Sequence, residues 1–173
     1  GIDTGERFVE IYNLVFMQYN RDHNGKLSNL PRQCVDTGMG LERITAVLQK
    51  TSDNYKTDIF NNIIESIAKT LNEKNLMNPS LRVIADHLRS SVFLISDGVN
   101  PSNEGRGYVL RRIIRRALTH AYKINNEKDF SFSDIFDTLG ESLLETYPDV
   151  KKNKTFILEE LKSEEDQFRE TLK

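Results

Sequence analysis

The run from Phe8 to Tyr19, FVEIYNLVFMQY, is apolar on both of its alternating faces. Ile11, Val15 and Met17 fall on one side, and Phe8, Tyr12, Leu14 and Phe16 on the other. Aromatic and β-branched residues at this density form strands, and a strand apolar on both sides belongs inside a covered sheet. RDHNGK follows, and Asn24-Gly25 predicts a tight hairpin turn with positive φ angles. A second strand is expected over Lys26–Leu30, ended by Pro31, and a short third one over Gln33–Asp36. So few strands are marginal unless something packs on them. The segment therefore reads as part of a sheet cut from a larger one.

Beyond Thr37-Gly38-Met39-Gly40 the period changes. Leu41, Ile44, Val47 and Leu48 share one helical face, and after about Tyr55 the pattern is helical almost throughout. Helices are expected over 57–72, 79–97, 104–124, 131–146 and 150–172. Asn78-Pro79-Ser80, Asp97-Gly98 with Pro101, Asn125-Asn126 and Tyr147-Pro148 punctuate them. The fold class is α+β, predominantly α. With 173 residues there is room for one full domain or two small ones, and the change of period divides the chain into 1–55 and 56–173.

Composition narrows the function classes. Hydrophobic residues make up 38% and charged residues 29%, the profile of a soluble globular chain. A formal net charge of −2 means that any nucleic-acid signal has to be local. The single Cys34 allows no internal disulfide, and no Cys/His cluster has structural-zinc spacing, so no metal site is expected. Neither a membrane-spanning run nor a leader is evident, and a cytoplasmic location is expected.

The densest chemistry lies in VDTGMGLERI. Gly38 and Gly40, between a strand and a helix start, let backbone approach a ligand closely, and free N–H groups there favour an anion. Arg43 is a cation in the helix's first turn, where the helix dipole disfavours it. It is either held by a surface carboxylate or kept for a phosphate. Asp36, at a strand end, is either a turn aspartate or a partner for a ligand ammonium. Asn13 is an amide in an apolar strand, and a buried amide needs a hydrogen bond from the backbone or from a ligand.

EIYNLVFMQYN followed by DTGMGLERI resembles, almost residue for residue, the end of the catalytic domain of the alanyl-tRNA synthetases, and GMGLER looks like motif 3 of the class II aminoacyl-tRNA synthetases. The resemblance implies the C-terminal strands of a class II antiparallel catalytic sheet in 1–55, followed by a helical tRNA-recognition domain in 56–173. It implies that Arg43 contacts the ATP phosphates as the catalytic charge stabiliser and that Asp36 holds the ammonium of alanine. Asn13 would contact the amino acid, Val15 would line its small pocket, and Gly38, followed by Gly40, would form the floor. ATP with Mg2+ is the implied cofactor set of the whole enzyme, with no zinc in this stretch. Motifs 1 and 2 would lie upstream of Gly1, in missing segments of the same polypeptide. The chain by itself is therefore expected not to activate alanine.

Between Gly105 and Asn126, Arg106, Arg111, Arg112, Arg115, Arg116 and Lys123 occur with His120 and no acid. The apolar stripe is expected at Val109, Ile113, Ala117 and Ala121, widened by Leu110, Ile114 and Leu118. Arg111/Arg115 and Arg112/Arg116 are repelling i,i+4 pairs on its flanks. A polyanion accounts for them, with salt-dependent binding; so do acids on neighbouring helices, such as Glu141 or Glu145. RVIADHLRSSVFLISDGVNPSNEGRGYVLRRIIRRA resembles the tRNA-recognition domain of the same family. That implies that Asn103 reads the G·U pair of the tRNA(Ala) acceptor stem from the minor groove and that the arginines hold phosphates. His87 with Asp86, Met17, Met39 and the Phe and Tyr residues read as packing. A non-catalytic RNA-binding helical module is the alternative, although such a module has no need of an amino-acid pocket. A protein-interaction domain fits less well, because the Lys/Glu-rich 150–172 reads as a solvated face.

Overall fold

The structure, a computed structural model, describes residues 8–126, 130–136, 139 and 146–172. It is α+β and mainly helical. The described residues separate into two compact units, one up to Thr57 and one from Asp58 onward.

The first unit is a hairpin leading into a helix. Strands β1 (Tyr12–Arg21) and β2 (Leu27–Met39) pair antiparallel. The turn is built differently from the expectation. Only Gly25 has positive φ, at 82°, and the Asp22 carboxylate accepts from the backbone N–H of both Asn24 and Lys26. Aspartate side chains commonly organise turns in this way. The second and third expected strands are one strand, and Pro31 does not end it. Met17 pairs with Cys34 and Tyr19 with Asn29, so β2 carries extra residues opposite Gln18. Pro31 sits in this bulge, where no ladder hydrogen bond is required of it.

The apolar faces of β1 lie open in this chain. Phe16 is 69% exposed, and Tyr12, Leu14, Val15, Met17 and Met39 are exposed as well, so neither face of β1 is covered. Helix α1 (Leu41–Leu48) starts where expected, yet Leu41, Val47 and Leu48 are also exposed. Two strands and two helical turns have no layer to set against these side chains. A short 3-10 turn, Asn54–Lys56, closes the unit.

The second unit holds the core. Helices α2 (Asp58–Leu71), α3 (Pro79–Ser96) and α4 (Gly105–Ile124) pack in sequence, α2 on α3 and α3 on α4. Asn78 caps α3 by accepting from Ser80 N–H at 3.0 Å, with Pro79 in the first turn. The helix ends at Gly98 with Val99 N–H donating to the Leu94 carbonyl, the bond that ties off a helix with a left-handed residue. After α5 (Ser133–Phe136) the expected helix 131–146 runs outside the described residues. The expected helix 150–172 begins two residues earlier and is split at Asn153 into α6 (Pro148–Lys152) and α7 (Lys154–Leu172).

Two buried carboxylates correct the picture of 150–172 as a solvated face. Glu164 and Glu165 are each 1% exposed. Glu165 accepts from Phe132 N–H and Ser131 Oγ, both at 2.8 Å, and so fastens the segment leading into α5 to α7. Burial raises its pKa above the ordinary carboxyl value despite those two hydrogen bonds. Glu164 binds two arginines of α4.

Candidate functional site

Strand register assembles the first group of residues. Asn13 lies opposite Gly38, and Val15 opposite Asp36. Directly opposed residues of an antiparallel pair share a face, and so do residues two apart along a strand. Asn13, Val15, Asp36 and Gly38 therefore form a quartet on one face of the hairpin. A Cβ on Gly38 would lie 3.2 Å from Asn13 Oδ1, so the glycine leaves room for that amide. Asn13 Nδ2 donates to Glu10 Oε1 at 2.9 Å, and Asp36 accepts from Thr37 N–H at 3.0 Å.

Arg43, third in α1, is held by main chain and not by a surface carboxylate. Its Nη1 donates to the main-chain carbonyl of Glu10 at 2.6 Å, and it makes no ion pair among the described residues. Glu10 thus holds Asn13 through its side chain and Arg43 through its backbone. Gly40, whose N–H donates to the Ile11 carbonyl, packs against the stem of Arg43. This leaves a fixed guanidinium with donors to spare beside an exposed carboxylate-bearing face. An anion and an ammonium are the ligands such groups bind.

The second group is on α4. Its buried stripe is Gly107, Leu110, Ile114, Ala117, Leu118 and Ala121, rotated from the expected one, and Val109 is 54% exposed. Arg111 and Arg115 border this stripe and are held there. Arg111 Nε donates to Glu164 Oε2 at 3.0 Å and Arg115 Nε to Glu164 Oε1 at 2.5 Å. One buried carboxylate on α7 therefore binds both; Glu141 and Glu145, the acids expected from the sequence, lie outside the described residues. Arg106, Arg112 and Arg116 are exposed and have no carboxylate partner among the described residues. Arg112 lies over the exposed ring of Tyr108, 5.7 Å from its centre. An exposed tyrosine beside an arginine, i and i+4, is a legible sign of a surface for stacking, and it differs from the packing role expected of the tyrosines.

Asn103 stands at the mouth of α4, exposed, with Oδ1 accepting from Arg111 Nη1. Its loop is seated closely. A Cβ on Gly107 would overlap Ser102 Oγ and the Asn100 carbonyl oxygen and lie 2.9 Å from Ser102 Cβ. Further along, His87 Nδ1 pairs with Asp86 at 2.8 Å, and His120 Nδ1 bonds Ser80 Oγ at 2.9 Å. Burial, with Lys123, Arg116 and His87 nearby, lowers the pKa of His120. Among the described residues no group of three or more His, Cys, Asp or Glu could hold a metal ion, and no helix is long and apolar enough to cross a membrane.

Comparison with known proteins covers nearly the whole chain. It is 51% identical over 170 residues to the alanine–tRNA ligase of Psychromonas ingrahamii, a match that covers 98% of this chain and 20% of that protein. It is 53% identical over 168 residues to the ligase of the same name from Nitrosospira multiformis, covering 97% and 19%, and 52% identical over 170 residues to that of Pseudoalteromonas translucida, covering 98% and 20%. The chain thus spans about a fifth of the length of these curated relatives. Residues 2–173 match the family described as tRNA synthetases class II (A), and the chain belongs to that family.

Proposed function

We propose that this chain is part of an alanine–tRNA ligase and that its two units serve the two halves of the reaction. In the first, the carboxylate oxygen of alanine attacks the α-phosphorus of ATP, forming alanyl-adenylate and releasing pyrophosphate. In the second, a ribose hydroxyl at the 3′ end of tRNA(Ala) attacks the alanyl carbonyl, releasing AMP. Asp36 takes the ammonium of alanine, Asn13 contacts the amino acid, and Val15 with Gly38 bounds a pocket for a methyl side chain. Arg43, beside Gly40, supplies positive charge to the ATP phosphates as charge moves onto them. Magnesium belongs to the triphosphate in this assignment. The segments of the same polypeptide that contribute the remaining groups are partners of this one, in a cytoplasmic setting.

The observation that carries the first half is the quartet on one hairpin face next to a carbonyl-anchored Arg43. Catalysis by groups of this kind is positioning plus charge stabilisation. The second half rests on Asn103 together with Arg106, Arg112 and Arg116, a cationic, exposed surface suited to an acceptor stem, where phosphates set affinity and an amide reads a base edge. Arg111 and Arg115 serve it from behind, with Glu164.

The test uses a polypeptide of the relatives' full length that carries this segment, assayed by alanine-dependent pyrophosphate exchange. Asp36→Ala is expected to raise KM for alanine. Arg43→Ala is expected to lower kcat by about 10²–10³, the cost of removing one preorganised charge stabiliser. Unchanged exchange in both variants contradicts the assignment.

A further inference from the structure

We propose that Glu164 is a positioning residue: through Arg111 it fixes the side-chain amide of Asn103 with its NH2 group outward, so that Asn103 meets RNA as a hydrogen-bond donor. This rests on the assignment of α4 and the loop before it to the acceptor stem.

The physical basis is what a guanidinium can do. It donates only, in a planar fork, and it stays charged at every accessible pH. Arg111 holds three acceptors at once: Glu164 Oε2 from Nε at 3.0 Å, Gln167 Oε1 from Nη2 at 2.8 Å, and Asn103 Oδ1 from Nη1. An amide has an oxygen side and a nitrogen side, and only the oxygen can face a donor. The orientation of Asn103 is therefore decided by its neighbour. Its Nδ2 has no hydrogen bond among the described residues and belongs to an exposed residue. What an acceptor stem meets there is N–H, and N–H seeks a base-edge acceptor such as a pyrimidine O2, which the wobble displacement of a G·U pair puts at a different place in the minor groove from that of G·C.

Arg111 itself needs holding, and Glu164 does it. Glu164 is almost wholly buried and engages both of its oxygens, the second with Arg115 Nε. The two arginines lie one turn apart on α4, so a single carboxylate neutralises the repulsion between them and sets the plane of the Arg111 fork. Gly107 completes the arrangement from the other side by letting the Asn100–Ser102 loop sit against the helix. Neither Glu164 nor Arg111 has to touch a base for the relay to matter.

The experiment measures the affinity of the 173-residue chain for two acceptor-stem minihelices, one with a G·U pair and one with G·C at the same place. The variants are Glu164→Gln, Arg111→Lys, Asn103→Ala, and Glu164→Gln combined with Asn103→Ala. The chain is expected to favour G·U. Glu164→Gln and Arg111→Lys should each cut that preference by about tenfold or to nothing, the worth of one well-placed hydrogen bond to a base. Affinity for the G·C duplex should move much less. In the Asn103→Ala background Glu164→Gln should change the preference no further, because its target is gone. Arg111→Lys keeps the cation but loses the fork, so it reports on the relay even where Glu164→Gln fails to fold. A preference that survives Arg111→Lys, or a Glu164→Gln loss that is equal for both duplexes and additive with Asn103→Ala, overturns the proposal and leaves the acceptor-stem assignment standing. A chain that prefers neither duplex overturns both.

Discussion

The two units hold their candidate residues in opposite ways. Up to Thr57, only Ala46 and Thr57 are buried among the described residues, and Asn13, Val15, Asp36 and Gly38 are brought together by backbone register alone. From Asp58 onward, a packed core of α2, α3, α4 and α7 carries the arginine helix, and a buried carboxylate sets the side chains at its surface. The difference shows what each kind of site depends on. A register-built site keeps its backbone geometry when one side chain is lost but needs its two strands held together. A relay-built site tolerates changes in exposed loops but fails when one buried group is replaced.

Substitutions in each unit put this contrast at risk, and the largest effect is expected at Glu164. Glu164→Ala removes the shared partner of the half-buried Arg111 and Arg115, and the loss costs about 1.5–3 kcal/mol for each hydrogen bond to a charged group. Urea unfolding monitored by circular dichroism should show it. Asp36→Ala in the exposed hairpin should change stability in the same measurement by no more than about 0.5 kcal/mol. Equal effects would erase the distinction between the units.

Gly107→Ala comes next. The added methyl overlaps the Asn100 carbonyl, which is backbone and cannot swing away. The expected cost is about 1–3 kcal/mol, the usual range for overpacking, accompanied by a loss of RNA preference as the Asn103 loop is displaced.

Arg112→Ala and Arg116→Ala should scarcely alter stability, since both side chains are exposed and neither has a carboxylate partner among the described residues. Each should weaken RNA binding about equally for all duplexes. Each should also lower the slope of log affinity against log salt by about 0.7–0.9 for every phosphate it no longer neutralises. A change in duplex preference instead would place them at base edges.

The smallest effect concerns Glu165. Its folded pKa is raised by burial, so the native state binds more protons than the unfolded chain between the ordinary carboxyl value and the raised one. Stability therefore falls as pH rises through that window. Glu165→Gln, which keeps an acceptor for Phe132 N–H, should flatten that fall when Tm is followed from mildly acidic to neutral pH. An unchanged slope would show that Glu165 does not titrate there.

Much of the fold was legible because periodicity is a local property. The limits of α2, α3 and α4 follow from apolar spacing and from punctuation at Asn78-Pro79 and Asp97-Gly98. Pro31 was misleading because a bulge, which depends on the partner strand, removes the hydrogen bond that proline lacks. Val109 and Ile113 looked interior on a helical wheel, but the wheel cannot show that Glu164, far along the chain, receives Arg111 and Arg115 on the neighbouring side of the helix. Glu164 and Glu165 were invisible for the same reason: a glutamate in a Lys/Glu-rich helix reads as solvated until its partners are placed. Of the candidate residues, Asn13, Asp36, Gly38, Arg43 and Asn103 stood out by residue type and motif. Gln167 carried no comparable signal, and Tyr108 showed one only in its i,i+4 spacing to Arg112.

The acceptor-stem assignment is tested most directly by titrating this chain with a G·U minihelix over a salt series, with and without Asn103→Ala. The account predicts affinity that falls steeply with salt and a further loss on Asn103→Ala that persists at every salt concentration. Affinity indifferent to both salt and Asn103 would contradict it.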